Sequence, residues 1–279
     1  LDKIITLNDL VVTGAFTLDP DGTGAVTIVN AVNLNLAAST MGGTFSGTAT
    51  TGDISDSGAL TITGAATFIT TQAAQDIILD QAGNAFTSTV TMQAGNGDNA
   101  AFNDITFVDS TDVNLHSSAA SAGDLFIDAT NNLAVGGDLS ITATTGNITQ
   151  GSEVAVGLTS TFTTSASDGT ITLNDVDNTF TGAVALNTNG SGGNAALDNG
   201  TTALIIAQSS VGGNLTLISG HASGITDSGT VTVGGNFSAT TNANNGDIDM
   251  ETLAVTGTIT LATNDDANNN TGHATVVNT

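Results

Sequence analysis

The sequence predicts an all-β fold, an elongated β-solenoid with essentially no helix, and three observations lead there. Apolar residues recur at alternate positions in short runs from end to end. A long internal repeat runs through the chain. Bulky side chains are scarce, while Gly, Ala, Ser, Thr, Asn and Asp dominate.

The alternation is seen in Val26/Ile28, Leu60/Ile62, Val90/Met92, Leu125/Ile127, Leu139/Ile141, Ile171/Leu173, Val184/Leu186, Leu215/Leu217, Val231/Val233 and Ile259/Leu261, each pair straddling one residue that is most often Thr. Runs this short, bounded by Gly, Asn and Asp, read as half-buried strands. No stretch combines the i, i+3, i+4, i+7 spacing with capping residues that a helix needs.

The repeat sets the architecture. ISDSGALTITGAATF from Ile54 and ITQGSEVAVGLTSTF from Ile148 both run 15 residues from Ile to Phe, at an offset of 94. At the same offset Ile77 matches Ile171, Leu79 matches Leu173, Asn84 matches Asn178, Phe86 matches Phe180 and Val90 matches Val184. Residues 54–92 and 148–186 are therefore equivalent, and ITDSGTVTVGGNFSA from Ile225 is a further partial copy. Such periods mark stacked repeats. Residues 1–279 read as a single solenoid segment, an excerpt of a longer chain.

A tandem array of β-sandwiches is the competing all-β fold, but such domains rely on a buried Trp or a Tyr corner, and the chain has neither residue. In a solenoid each coil lies about 4.8 Å above the last, so a narrow interior can be filled with Val, Ile, Leu, Ala and Phe. Coils of roughly 20 residues are expected, at the short end of repeat units. Gly and Asn suit corners that need positive φ. A single Pro, Pro20, fits a chain whose strands must donate to ladders.

Charge narrows the functions. The net charge is −25, with 26 acidic residues against Lys3 alone. Phosphate backbones and anionic membrane surfaces are recognised by clustered Lys and Arg, so nucleic acid is excluded as a partner. No apolar run reaches the roughly 18 residues of a membrane span. A hydrophobic fraction of 39% is too high for a solvated disordered tail.

No catalytic, cofactor-binding or metal-binding residue is assigned. His116, His221 and His273 lack ligand spacing, Cys is absent, and Glu153 and Glu251 are the only glutamates. The pairs Asp175/Asp177, Asp247/Asp249 and Asp265/Asp266 fall in turn-like contexts, not in the arrangement of a carboxylate-pair hydrolase. Asp19-Pro20-Asp21-Gly22 has the look of a calcium loop without the completing Glu, and reads more simply as a type I or II turn with Pro20 at its second position. Calcium is thus the one ion with any support. Sequons at Asn147, Asn189, Asn199, Asn214, Asn236 and Asn269 are no more than this composition gives by chance.

GNITQGSEVAVGLTSTF, DGTITLNDVDNTFTGAVALNT and VGGNLTLISGHASGITDSGTVTVGGNFSAT together resemble the repeat region of filamentous-haemagglutinin-like exoproteins of the two-partner-secretion type. The likeness covers about residues 52–261. It implies a right-handed, single-stranded parallel β-helix, an extracellular or cell-surface location, and a role in adhesion, biofilm or fibre formation. The family's N-terminal secretion domain is not evident in this chain.

The function expected is a non-catalytic structural or adhesive filament component, self-associating end to end and touching surface glycans. The alternative is a carbohydrate-binding or carbohydrate-cleaving β-helix. Ice binding through the pairs Thr61/Thr63, Thr142/Thr144 and Thr258/Thr260 needs rows aligned coil after coil, and the sequence intersperses Gly, Ala and Val.

Overall fold

The computed structural model describes residues 2–95, 103–116, 124–127, 133–264 and 272–279. Among them are 33 strands and no helix, and every strand pairing recorded within either unit is parallel. The fold is a β-solenoid, as the sequence predicts. Two compact units divide the chain, Leu1–Thr144 and Thr145–Thr279.

In the first unit the chain circulates over three sheets. Strands Val26–Asn30, Phe45–Ala49, Ala66–Thr70 and Val90–Gln93 belong to the first sheet, Leu34–Leu36, Ile54–Asp56, Ile77–Leu79, Ile105–Asp109 and Leu139–Ala143 to the second, and Ser39–Met41, Leu60–Ile62 and Ala85–Phe86 to the third. Stacking in register puts Leu34 beside Ile54, Ile54 beside Ile77, Ile77 beside Ile105 and Ile105 beside Leu139. These steps are 20, 23, 28 and 34 residues. The coil is therefore longer and more variable than the roughly 20 residues expected, because corners lie outside the ladders and absorb insertions without breaking register.

The second unit repeats the plan. Ile148, Ile171, Ala195, Leu215, Phe237 and Ile259 form one column, at steps of 23, 24, 20, 22 and 22 residues. A second sheet carries Ser160–Ser167, Val184–Asn189, Leu204–Ile206, Ile225–Asp227 and Ile248–Val255, with Ser209–Val211 and Val231–Val233 also in it.

Alternation becomes burial. Strands such as Val26–Asn30, Phe45–Ala49, Ala66–Thr70 and Phe237–Thr241 alternate buried and half-buried residues without interruption. Eight of the ten alternating pairs lie wholly inside. Ile259 and Leu261 stay half-exposed on the outermost strand of their sheet, and the side chains of Leu125 and Ile127 lie outside the described residues.

Phenylalanine fills the axis. Phe68 lies between Phe45 and Phe86, with ring centroids 5.3 and 6.1 Å away, and Phe107 follows Phe86 at 5.2 Å. Phe162 and Phe180 meet edge to face at 5.8 Å in the second unit. Inward-facing Gly47, in register with Phe68, makes room for this stack: a Cβ there would lie 2.9 Å from the Phe45 ring.

The turn near Pro20 differs from expectation. It falls on Gly22 and Thr23, where Gly22 has φ +82 and the Thr23 N–H donates to the Asp2 carboxylate at 2.9 Å. Positive φ is what glycine supplies at no steric cost, so the turn forms there and not at Pro20.

Candidate functional surfaces

Acids and amides at the corners hold successive coils together. In the first unit Asp53, Asp76, Asp104 and Asp138 each precede a strand of the stack. The backbone N–H of Asp76 donates to Asp53 at 3.0 Å, that of Asp104 to Asp76 at 2.9 Å, and that of Asp138 to Asp104 at 2.7 Å. Partial burial first, then repulsion from Asp104 and Asp53, pushes the Asp76 carboxyl above its ordinary range, against the hydrogen bond from Asp104.

The second unit builds the same device from neutral groups. Asn194 accepts the N–H of Asn214 at 2.7 Å, Asn214 that of Asn236 at 2.8 Å, and Asn236 that of Thr258 at 2.9 Å. Beside this row Gly213, Gly235 and Gly257 donate to the glycine carbonyl of the preceding coil at 2.8–2.9 Å. The runs Gly212-Gly213-Asn214-Leu215 and Gly234-Gly235-Asn236-Phe237 are thus close backbone approaches.

A second kind of corner is buried. Asn84 accepts the N–H of Leu60 at 2.8 Å and donates to the Asp56 carboxylate at 2.6 Å. Its repeat partner Asn178 accepts the N–H of Val154 at 2.8 Å and donates to Gln150 at 3.0 Å. Val154 and Gln150 stand 94 residues after Leu60 and Asp56, so the repeat conserves a hydrogen-bond role. Asp109 and Asn199 likewise both accept the N–H of a Phe, Phe86 and Phe180. Burial raises the carboxyls of Asp56 and Asp109 above their usual range, outweighing the hydrogen bonds that favour their charge.

The residues weighed for chemistry have structural places. Asp175 accepts the N–H of Asp177 at 3.0 Å within an exposed turn. Asp247 accepts the N–H of His273 at 2.8 Å, and Nδ1 of His221 accepts the N–H of Ser223 at 3.0 Å. Asp265, Asp266 and Asn269 lie outside the described residues. Among the described residues no group of three or more His, Asp or Glu is placed to hold a metal ion, and no helix is long and apolar enough to cross a membrane. Asn199 is fully buried with its amide donating to Phe180 and Ala203 carbonyls, which removes it as a glycan acceptor.

Two outer surfaces remain. On the second unit Thr172, Ala196 and Thr216 form one outward column, and the small Ala196 leaves an open groove of about 360 Å3 bordered by Asn194 and Asn214. On the first unit Thr27, Ser46, Thr67 and Thr91 share one outward column of the first sheet. The Thr-x-Thr pairs singled out in the sequence do not line up. Thr61 faces outward on the third sheet between Thr40 and Ala85, whereas Thr142 pairs with Val108 on the second.

Sequence reasoning missed the acidic ladder and the threonine column. The ladder has a signal, an Asp immediately before the first apolar residue of a strand, in Asp53-Ile54, Asp76-Ile77, Asp104-Ile105 and Asp138-Leu139. The column has none, because its members are 19, 21 and 24 residues apart.

No curated protein and no solved structure matches the chain. One family profile, described as repeats of unknown function (DUF5649), matches residues 23–93, 122–187 and 192–252. The first two matches end 94 residues apart, which is the offset of the internal repeat. With more than two thirds of its residues matched, the chain belongs to the family of DUF5649 repeats.

Proposed function

We propose that the chain is a structural or adhesive component of an extracellular fibre, non-catalytic, and similar in role to the repeat region of filamentous-haemagglutinin-like exoproteins. The observation that carries this reading is the vertical continuity of the hydrogen-bond ladders. Each coil presents to the next the acceptors that it takes from the one before, as Asn194, Asn214 and Asn236 do. A unit built this way transmits load along its axis and grows by adding coils. The acid-rich surface keeps neighbouring rods apart and soluble. End-to-end association is the mode of assembly that such ladders favour. Electron microscopy of the purified chain over a range of concentrations tests the reading. Linear particles that lengthen with concentration are expected, and isolated short particles throughout would reject it.

The alternative, a carbohydrate-binding β-helix, has one observation in its favour, the groove beside Ala196. Its hydroxyl and amide lining suits a neutral sugar, although it carries no aromatic residue on which a ring could stack. Retention of the chain on a neutral polysaccharide matrix, lost on Ala196→Phe, would establish it over the fibre reading.

A further inference from the structure

We infer that the outer face of the first sheet in the Leu1–Thr144 unit is an ice-binding surface, with Thr27, Ser46, Thr67 and Thr91 as its anchoring column. The inference does not depend on the fibre reading. It rests on register, on the free state of the hydroxyls, and on where the charges lie.

Register places these four residues side by side on consecutive parallel strands without a shift. Two positions along, Val29, Thr48 and Ile69 form a parallel column. Groups in each column recur about every 4.8 Å, and the columns lie about 6.6 Å apart, two residues of strand. The result is a lattice of hydroxyl and methyl groups whose spacing within each column is of the order of that between second-neighbour oxygens in hexagonal ice. All of these residues are half-buried, held on a packed core.

The hydroxyls are unspent. Among the described residues those of Thr27, Ser46, Thr48, Thr67 and Thr91 make no hydrogen bond. Those of Thr50, Thr51, Thr63 and Thr71, at the corners of the same coils, all donate to backbone carbonyls. A free hydroxyl in a fixed row anchors a first-shell water, and the methyl groups between rows deny that water other partners. Repetition then orders the water layer on the pattern of the sheet.

Charge is absent where it would disrupt that order. Between residues 22 and 95 the only charged residues are Asp53, Asp56, Asp76 and Asp80; Asp56 lies in the second sheet and the other three flank it. In a chain of net charge −25 these four strands carry no charge; the acids of this sheet stand beyond them, Asp9 on Ile5–Leu10 and Asp124 on Asp124–Ile127, with Asp2 at the Thr23 corner. A neutral lattice is the occupant this face suits. The four uncharged strands by themselves, without Ile5–Leu10 and Asp124–Ile127 beside them, cover only about 300 Å2, short of the roughly 800 Å2 per partner of a stable contact between two copies.

Ice-affinity partitioning and ice-recrystallisation assays on the whole chain test the inference. The parent chain is expected to enrich in the ice fraction and to suppress grain growth. Thr67→Lys, which sets a charge in the middle of the array, should abolish both effects, and Thr61→Lys on the third sheet should leave both intact. If Thr67→Lys does not retain the parent circular dichroism spectrum, Thr48→Lys serves in its place. Exclusion of the parent chain from ice, or equal activity in the face variants, would overturn the inference. So would sedimentation showing a parent dimer that the face variant splits, which would make the surface a contact between copies.

Discussion

The backbone N–H of Asp104 donates to the carboxylate of Asp76 at 2.9 Å. Each acid of this row is held by the next coil while lying close to that coil's own acid. The arrangement joins coils and at the same time stores repulsion, which the asparagine row of the second unit avoids.

Burial, with that repulsion added at Asp76, gives a pH dependence with a definite sign. Asp56, Asp76, Asp109 and Asp198 all have carboxyls raised above 3.8, with burial as the largest cause. A carboxyl whose pKa is higher in the folded state binds its proton more tightly when folded, so stability grows as pH falls through the folded value and is complete below 3.8. The Tm should therefore climb between neutrality and about pH 4. Scanning calorimetry across that range checks it, and a falling Tm would contradict it. Asp76→Asn should raise the neutral-pH Tm by less than the roughly 2–4 °C that about 1 kcal/mol gives in a chain of this size, because solvent screens a half-buried carboxyl, with the gain shrinking in high salt.

Asn84→Ala strips the buried Leu60 N–H of its acceptor and the Asp56 carboxylate of a donor. Unsatisfied buried groups cost about 1–3 kcal/mol each, so a loss of about 3 kcal/mol is expected in urea unfolding. A change below about 1 kcal/mol would mean that water replaces the amide.

Phe68→Ala removes the middle ring of the run from Phe45 to Phe86. A cost of about 3–5 kcal/mol follows for a fully buried Phe. Phe68→Leu should recover most of it. Hydrogen exchange is expected to quicken in the neighbouring coils, since repeat units are stabilised mainly by nearest neighbours.

Gly235→Ala and Gly14→Ala separate packing from propensity. A Cβ at Gly235 would lie 2.5 Å from Asn214 Oδ1 and 2.8 Å from the Gly213 carbonyl, whereas nothing lies within 4 Å of one at Gly14. The first substitution should cost about 1–3 kcal/mol through overpacking, and the second should stay within about 0.5 kcal/mol of neutral. Paired thermal melts decide the matter.

Calcium should act as a screen. A small, gradual rise in Tm is expected as calcium reduces the repulsion within a chain of net charge −25. A sharp stoichiometric isotherm with a large stabilisation would reveal a specific site.

Much of this was legible in the chain itself. Alternation such as Leu60-Thr61-Ile62 marks both a strand and its inward face, because successive side chains point to opposite sides. The 94-residue offset identified Asn84 and Asn178 as equivalent before their shared bond was visible. What sequence could not show is which residues become neighbours. Thr27, Ser46, Thr67 and Thr91, and likewise Asp53, Asp76, Asp104 and Asp138, are brought together at unequal intervals. Backbone pairing between parallel strands fixes these columns, while corners of variable length take up the difference. The sequence therefore determined the coil and its interior, and only the tertiary structure decided the pattern on its surface.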